Sequence, residues 1–267
     1  MITATGALFI CFKGILWREY LRFIQQKGRF IAALVRPLVW LFIFAAGFRS
    51  ILGVSIIPPY ETYVLYEEYI TPGLIAMILL FSGMQNSLSM VYDREMGSMR
   101  ILLASPMPRW FLLSSRLLSS AVISLFQVYL FLLIAWLWDV RPPLLGYILI
   151  LPALLLSGLM LGAIGLFLSS VVRQLENFSG VMNFVIFPMF FTSSALYPLW
   201  RLKESSIVLY NIAYLNPFTQ AVELIRFALY GELNSVALLS VIGTTVFFLT
   251  LSFWSYNPGK KTFLRIK

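Results

Sequence analysis

The chain has 267 residues, 60% of them hydrophobic and 12% charged, with a mean hydropathy of +0.87 and a net charge of +9. A soluble domain is about 45–50% apolar, so lipid must cover much of this surface, and the length suits one polytopic unit without a second large soluble domain. Histidine is absent and Cys11 is the only cysteine, which excludes histidine triads, histidine metal sites, histidine proton relays and any disulfide framework.

Residues 7–29 come first. Lys13, Arg18, Arg22, Lys27 and Arg29 alternate there with Leu8, Phe9, Phe12, Ile15, Leu16, Trp17, Leu21, Phe23 and Ile24, a pattern that predicts an amphipathic helix in the headgroup layer. The other reading is a plain charged leader. No basic residue precedes Lys13 and no small-x-small site follows a short apolar run, so a signal peptide is not expected.

Six stretches then reach the roughly 20 apolar residues of a spanning helix: 30–52, 70–92, 111–138, 144–172, 178–197 and 236–256. Arg116 lies in the first turns of the third, where it is expected to snorkel to the interface. Lysine and arginine in the flanks set the orientation. With the N-terminus inside, Lys13, Arg18, Arg22, Lys27, Arg29, Arg36, Arg94, Arg100, Arg109, Arg116, Arg173, Lys260, Lys261, Arg265 and Lys267 are cytoplasmic, against Arg49, Arg141, Arg201, Lys203 and Arg226 outside. Fifteen against five predicts both termini inside, which needs an even number of crossings. The basic excess is thus explained by membrane orientation, and nucleic acid is not expected as a partner.

Segment 93–109, between the second and third spans, is predicted to hold a short amphipathic helix. Ser98 can cap it, Met99, Leu102 and Leu103 form a face, and Pro106 and Pro108 end it. Such a helix either docks in a partner's groove or lies on the membrane as a connector. Segment 198–235 is partly apolar yet carries Arg201, Lys203, Glu204, Glu223, Arg226 and Glu232. Residues 210–213 and 218–230 read as short helices broken at Asn216-Pro217, a re-entrant or interfacial hairpin buried against protein.

Two motifs carry a resemblance. Glu95-x-Gly97-Ser98-x-x-x-Leu102-Leu103-x-Ser105-Pro106 resembles the coupling-helix motif of permeases of type-two ATP-binding-cassette exporters. Ser194-Ala195-Leu196-Tyr197-Pro198-Leu199, followed by 211–218 and Glu223-Leu224-Ile225-Arg226, resembles that family's extracellular re-entrant region. Arg100 departs from the family, which often carries an acidic residue there. The resemblance implies an all-α polytopic fold with six transmembrane helices, an N-terminal interfacial helix and an outer re-entrant hairpin. It implies a cytoplasmic-membrane permease in a bacterium or archaeon, working with two copies of a separate ATPase and a second permease copy or paralogue. No cofactor is expected on this chain; ATP and magnesium would sit on the ATPase. The sequence agrees in lacking a G-x-x-x-x-G-K-[ST] segment, and an enzyme activity of its own is not expected.

Under the resemblance, Glu95, Gly97, Ser98, Leu102, Leu103 and Pro106 couple to the ATPase. Gln85, Asn86, Asn183 and Thr192 are candidates to line the pathway, with packing between helices as the competing role. Tyr197, Asn216, Pro217, Glu223 and Arg226 are candidates for an outer gate, though Glu223 and Arg226, three apart on a helix, also suit a structural ion pair. Gly158, Gly162 and Gly165 predict close helix packing, and the tryptophans an aromatic belt. A secondary transporter driven by an ion gradient is the first alternative, but the spans lack clear mid-membrane ionisable groups. A membrane-embedded enzyme lacks a carboxylate pair. A non-transporting assembly subunit is the third. The absence of intramembrane charge leans toward lipids, lipid-linked glycans or amphipathic drugs as cargo.

Overall fold

The computed structural model describes residues 4–25, 27–48, 58–60, 64–98, 107–172 and 174–256. Every element among them is a helix: α1 (Ala4–Gln25), α2 (Lys27–Phe48), α3 (Tyr66–Glu95), α4 (Arg109–Leu137), α5 (Gly146–Val171), α6 (Leu175–Phe191), α7 (Leu199–Ser205), α8 (Ile207–Leu215), α9 (Pro217–Leu229) and α10 (Ser235–Ser255). Four of these, α3, α4, α5 and α10, are long and apolar enough to cross a membrane; Leu34–Ile43 within α2 and the whole of α6 are shorter apolar helices.

At the centre lies α3, bordered by α2, α4, α5, α6 and α9. Its 30 residues make it about 45 Å long, more than the roughly 30 Å of a hydrocarbon core. Its residues are buried almost without a break from Tyr66 to Met84. Small residues allow this enclosure. A Cβ on Gly83 would lie 3.0 Å from the Gly162 Cα, and one on Gly162 would lie 2.5 Å from the Leu117 side chain. The expected close packing by the α5 glycines is therefore present at Gly162 and at Gly165, where a Cβ would lie 2.5 Å from the Ser87 Oγ, whereas Gly158 has ordinary clearance, 3.6 Å from Ala121. By contrast α10 packs on α5 and α9 and leaves most of its apolar surface open, as a helix facing lipid does.

The predicted spans 70–92, 111–138, 144–172 and 236–256 agree with α3, α4, α5 and α10 to within a few residues. The fifth is shorter than 178–197. It ends at Phe191 because Thr192 leaves helical geometry and its Oγ1 donates back to the Pro188 carbonyl at 2.7 Å. Asn216 then takes up two of the carbonyls a helix end leaves unpaired, donating to Met189 at 2.7 Å and Thr192 at 3.3 Å. Residues 193–196, Ser-Ser-Ala-Leu, carry no charge, glycine or proline to mark this stop in the sequence.

Three helices, not two, follow Pro198. Ser206 caps α8 through the Leu209 amide, and Asn216 caps α9 by accepting from the Phe218 amide at 2.9 Å, with Pro217 at the first helical position. These are start signals readable in sequence; the stretch 199–205 lacks one of its own beyond Pro198.

Candidate functional site

The site is built where α1, α3 and α4 meet at one end of the bundle. On α1 the apolar Ile10, Trp17, Tyr20, Leu21 and Ile24 face outward, while Ile15 and Glu19 are buried and Arg18 and Arg22 point to the bundle. That is inverted relative to a water-soluble helix and suits one bathed in lipid on its outer side. The charges can turn inward because partners wait there. Asp93, 3% exposed near the end of α3, receives Arg116 at 2.8 Å, Arg22 at 2.9 Å and Arg18 at 3.2 Å. Glu19 lies 3.5 Å from Arg116 and 3.7 Å from Arg22. Ser89 accepts from Arg116 at 2.8 Å and from Arg22 at 3.1 Å.

Arg116 therefore does not snorkel. It is 1% exposed and holds three helices together. Snorkelling was expected from its position in the first turns of a span, but a guanidinium that finds two carboxylates and a hydroxyl inside gains more there than at the interface. Asp93 and Glu19 were not singled out from sequence. The available signal was Arg18, Glu19 and Arg22 at one helical face, with an acid inside a basic leader.

From this cluster the chain enters segment 93–109. Arg94 donates to the Val172 carbonyl at 2.6 Å, and the Glu95 Oε1 accepts from the Leu175 amide at 2.8 Å. Leu175 is the first residue of α6, so Glu95 occupies the positive end of that helix. Gly97 sits at φ +75°, a left-handed geometry suited to glycine. Ser98 donates from its Oγ to the Asp93 carbonyl at 3.1 Å, closing the end of α3. Three of the predicted coupling residues, Glu95, Gly97 and Ser98, thus cluster at one exit; Leu102, Leu103 and Pro106 lie outside the described residues.

The predicted pathway residues separate. Gln85 and Asn86 line a polar cleft of about 80 Å³ beside α1. Thr192 instead accepts from Asn216 at 3.2 Å at the opposite end of α6, and Asn183 is exposed on the outer face of α6 beside Phe184 and Phe187.

The candidate gate residues gather at the far end of α3. Arg226 is 3% exposed, pairs with Glu223, donates to the Ser194 carbonyl at 2.9 Å and lies 4.3 Å over the Tyr69 ring. Burial works against its charge, but the Glu223 carboxylate more than offsets this and holds its pKa above the ordinary arginine value. Tyr69 donates to the same Ser194 carbonyl at 2.9 Å, and Tyr66 to Leu196 at 2.8 Å. The expected ion pair of Glu223 and Arg226 is present. Tyr197 is 44% exposed and Asn216 is 8% exposed, so Tyr197 alone of the gate set presents a large side chain outward.

Residues 11–230 match the family described as ABC-2 type transporter. Over 252 residues the chain is 27% identical to a Cyanophora paradoxa protein named as a transport permease, ycf38, covering 91% of this chain and 81% of that protein. A Porphyra purpurea protein with the same name is 26% identical over 221 residues, 80% of this chain and 72% of that one. Escherichia coli K12 YbhR, named as a multidrug ABC transporter permease, is 29% identical over 161 residues, 59% of this chain and 42% of that protein.

Proposed function

The chain belongs to the ABC-2 type transporter family, and from that premise we propose that it is the membrane permease subunit of an ATP-driven exporter, coupled to a separate ATPase through segment 93–109. Its membership makes it a multi-pass transport protein that works with an ATP-binding subunit. The observation that carries the finer reading is the anchoring of the loop's stem. Asp93 ties it to α1 and α4, Arg94 to the end of α5, and Glu95 to the start of α6. A push on the loop would be delivered to several helices at once.

Six crossings with both termini cytoplasmic fit this arrangement. Four long apolar helices account for four of them. The other two would be α2 and α6. Ring contacts place Trp40 of α2 beside Phe190, at the same end of the bundle as Tyr69 and Ser194, whereas α6 starts beside Glu95. With 7, 9 and 13 residues, α7, α8 and α9 are too short to cross, and they would form the outer re-entrant region. The two short helices read between residues 198 and 235 become three within it.

A pump would pair two permeases with two ATPases. The exposed Asn183, beside Phe184 and Phe187 and one turn after the exposed Ser179 on α6, fits a second permease or a water-lined path better than lipid. ATP-driven closure would tilt the anchored helices and open a path outward between the permeases, a two-state switch biased by the ATPase.

Co-purification with an ATPase and vanadate-sensitive, substrate-stimulated ATP hydrolysis test the assignment. Glu95→Lys, Gly97→Val and Leu102→Asp should each abolish ATPase association or stimulation. Normal association, stimulation and transport in these variants would overturn the docking role.

A further inference from the structure

The cleft beside α1 lies between α1, α3 and α4, and polar side chains outnumber the apolar Phe23 and Ile123 in its lining: Glu19 and Arg22 from α1, Ser82, Gln85 and Asn86 from α3, and Gln127 from α4 among them. A cleft in a transmembrane bundle is costly to line this way unless something polar fills it. Gln127 is 6% exposed, and its side-chain oxygen has no hydrogen-bond partner among the described residues.

The charges beneath the cleft are unbalanced. Arg18, Arg22 and Arg116 face Glu19 and Asp93, three guanidiniums against two carboxylates. Both carboxylates are shared among these arginines. The buried Nη1 of Arg116 has no hydrogen-bond partner among the described residues. Arg22, with its side chain 23% exposed, is the cation that reaches the cleft. A positive surplus beside an orphaned acceptor calls for a ligand with one negative charge and hydrogen-bond donors.

Apolar side chains border the cleft, with Phe23 among its lining. Phe126, 60% exposed, stands against Phe23 with ring centroids 6.3 Å apart, and the outer face of α1 is apolar. At about 80 Å³ the space equals roughly two to three waters at ~30 Å³ each, too small for a glycan.

We propose that this cleft binds the headgroup of a resident anionic phospholipid with headgroup hydroxyls, of the phosphatidylglycerol type, from the leaflet in which α1 lies. The phosphate sits at the mouth against Arg22, and a hydroxyl enters to donate to Gln127. The lipid then staples α1 to α3 and α4. This assignment requires only membrane residence and stands apart from the ATPase reading.

The test is thermal unfolding of the delipidated full chain in detergent, with phosphatidylglycerol, phosphatidylcholine or inorganic phosphate added. Phosphatidylglycerol at a hundredfold excess over its Kd should raise the midpoint by roughly 5–10 °C, and phosphatidylcholine and inorganic phosphate should give less than half of that. Gln127→Leu keeps the packing volume and should lose at least half of the rise, and Arg22→Gln should lose most of it. No rise, or an equal rise with phosphatidylcholine, means annular lipid or water only and overturns the proposal. An equal rise with inorganic phosphate overturns the lipid source, and a full rise in Gln127→Leu overturns the cleft.

Discussion

Asp93 collects three arginines, and this makes it the residue on which the α1–α3–α4 junction turns. Replacing it leaves Arg116 buried at 1% exposure with Glu19 as its one remaining carboxylate among the described residues and the neutral Ser89 hydroxyl beside it. Removing one partner of a buried pair costs about 3–5 kcal/mol, because the remaining charge is uncompensated. Asp93→Asn should therefore lower the unfolding midpoint strongly in detergent. The double variant Asp93→Leu with Arg116→Met should recover part of the loss, since an apolar pair of similar size is often tolerated at such sites. A double-mutant cycle measures the coupling; strictly additive losses would show that the two residues do not act as a pair. Asn216 is the counterpart at the other end. It caps α9 and closes the end of α6, so Asn216→Ala should cost about 1–3 kcal/mol, readable in the same unfolding assay.

At the scale of elements, close approach governs α3. A Cβ on Gly73 would lie 2.7 Å from the Ala195 Cα, which is backbone and cannot swing aside. Gly73→Ala should destabilise the protein, whereas Gly14→Ala on α1, with nothing within 4 Å of a new Cβ, should stabilise it by about 0.5–1 kcal/mol through helix propensity. Opposite signs in thermal unfolding are the expected outcome, and two stabilising changes would refute the close contact. The long helices were legible in sequence because length and hydropathy alone specify them: α3, α4, α5 and α10 lie within a few residues of the predicted spans. The end of α6 was not. It depends on Thr192 bonding back to Pro188 and on Asn216, 24 residues farther along, and the share supplied from so far along the chain leaves no local signature. Arg116 was misread for the same reason. Its position in a span suggested the interface, and only the fold brings Asp93 and Glu19 to it. The candidate coupling and gate residues were found through motifs, but what they touch, such as Glu95 at the start of α6, follows from the packing.

At the scale of the whole molecule, the two polar clusters stand at opposite ends of α3. Tyr69 and Asp93 are 24 residues apart, about 36 Å along a helix, comparable with a bilayer's hydrocarbon core plus part of each headgroup layer. Met96 and Glu232 extend this separation. Met96 follows the Asp93 end of α3 and is 63% exposed. Glu232 is exposed and lies just after α9, which carries Arg226 at the Tyr69 end. The excess of lysine and arginine flanking the Asp93 end predicts that this end faces the cytoplasm. Cys11 is the only cysteine, so a Cys11→Ser background gives a clean reporter. A membrane-impermeant maleimide should label Glu232→Cys on intact cells and Met96→Cys only after permeabilisation. Labelling of both from one side would mean that the two clusters share a face, and six crossings would fail. Labelling of Met96→Cys alone on intact cells would invert the chain and place segment 93–109 where no cytoplasmic ATPase can reach it.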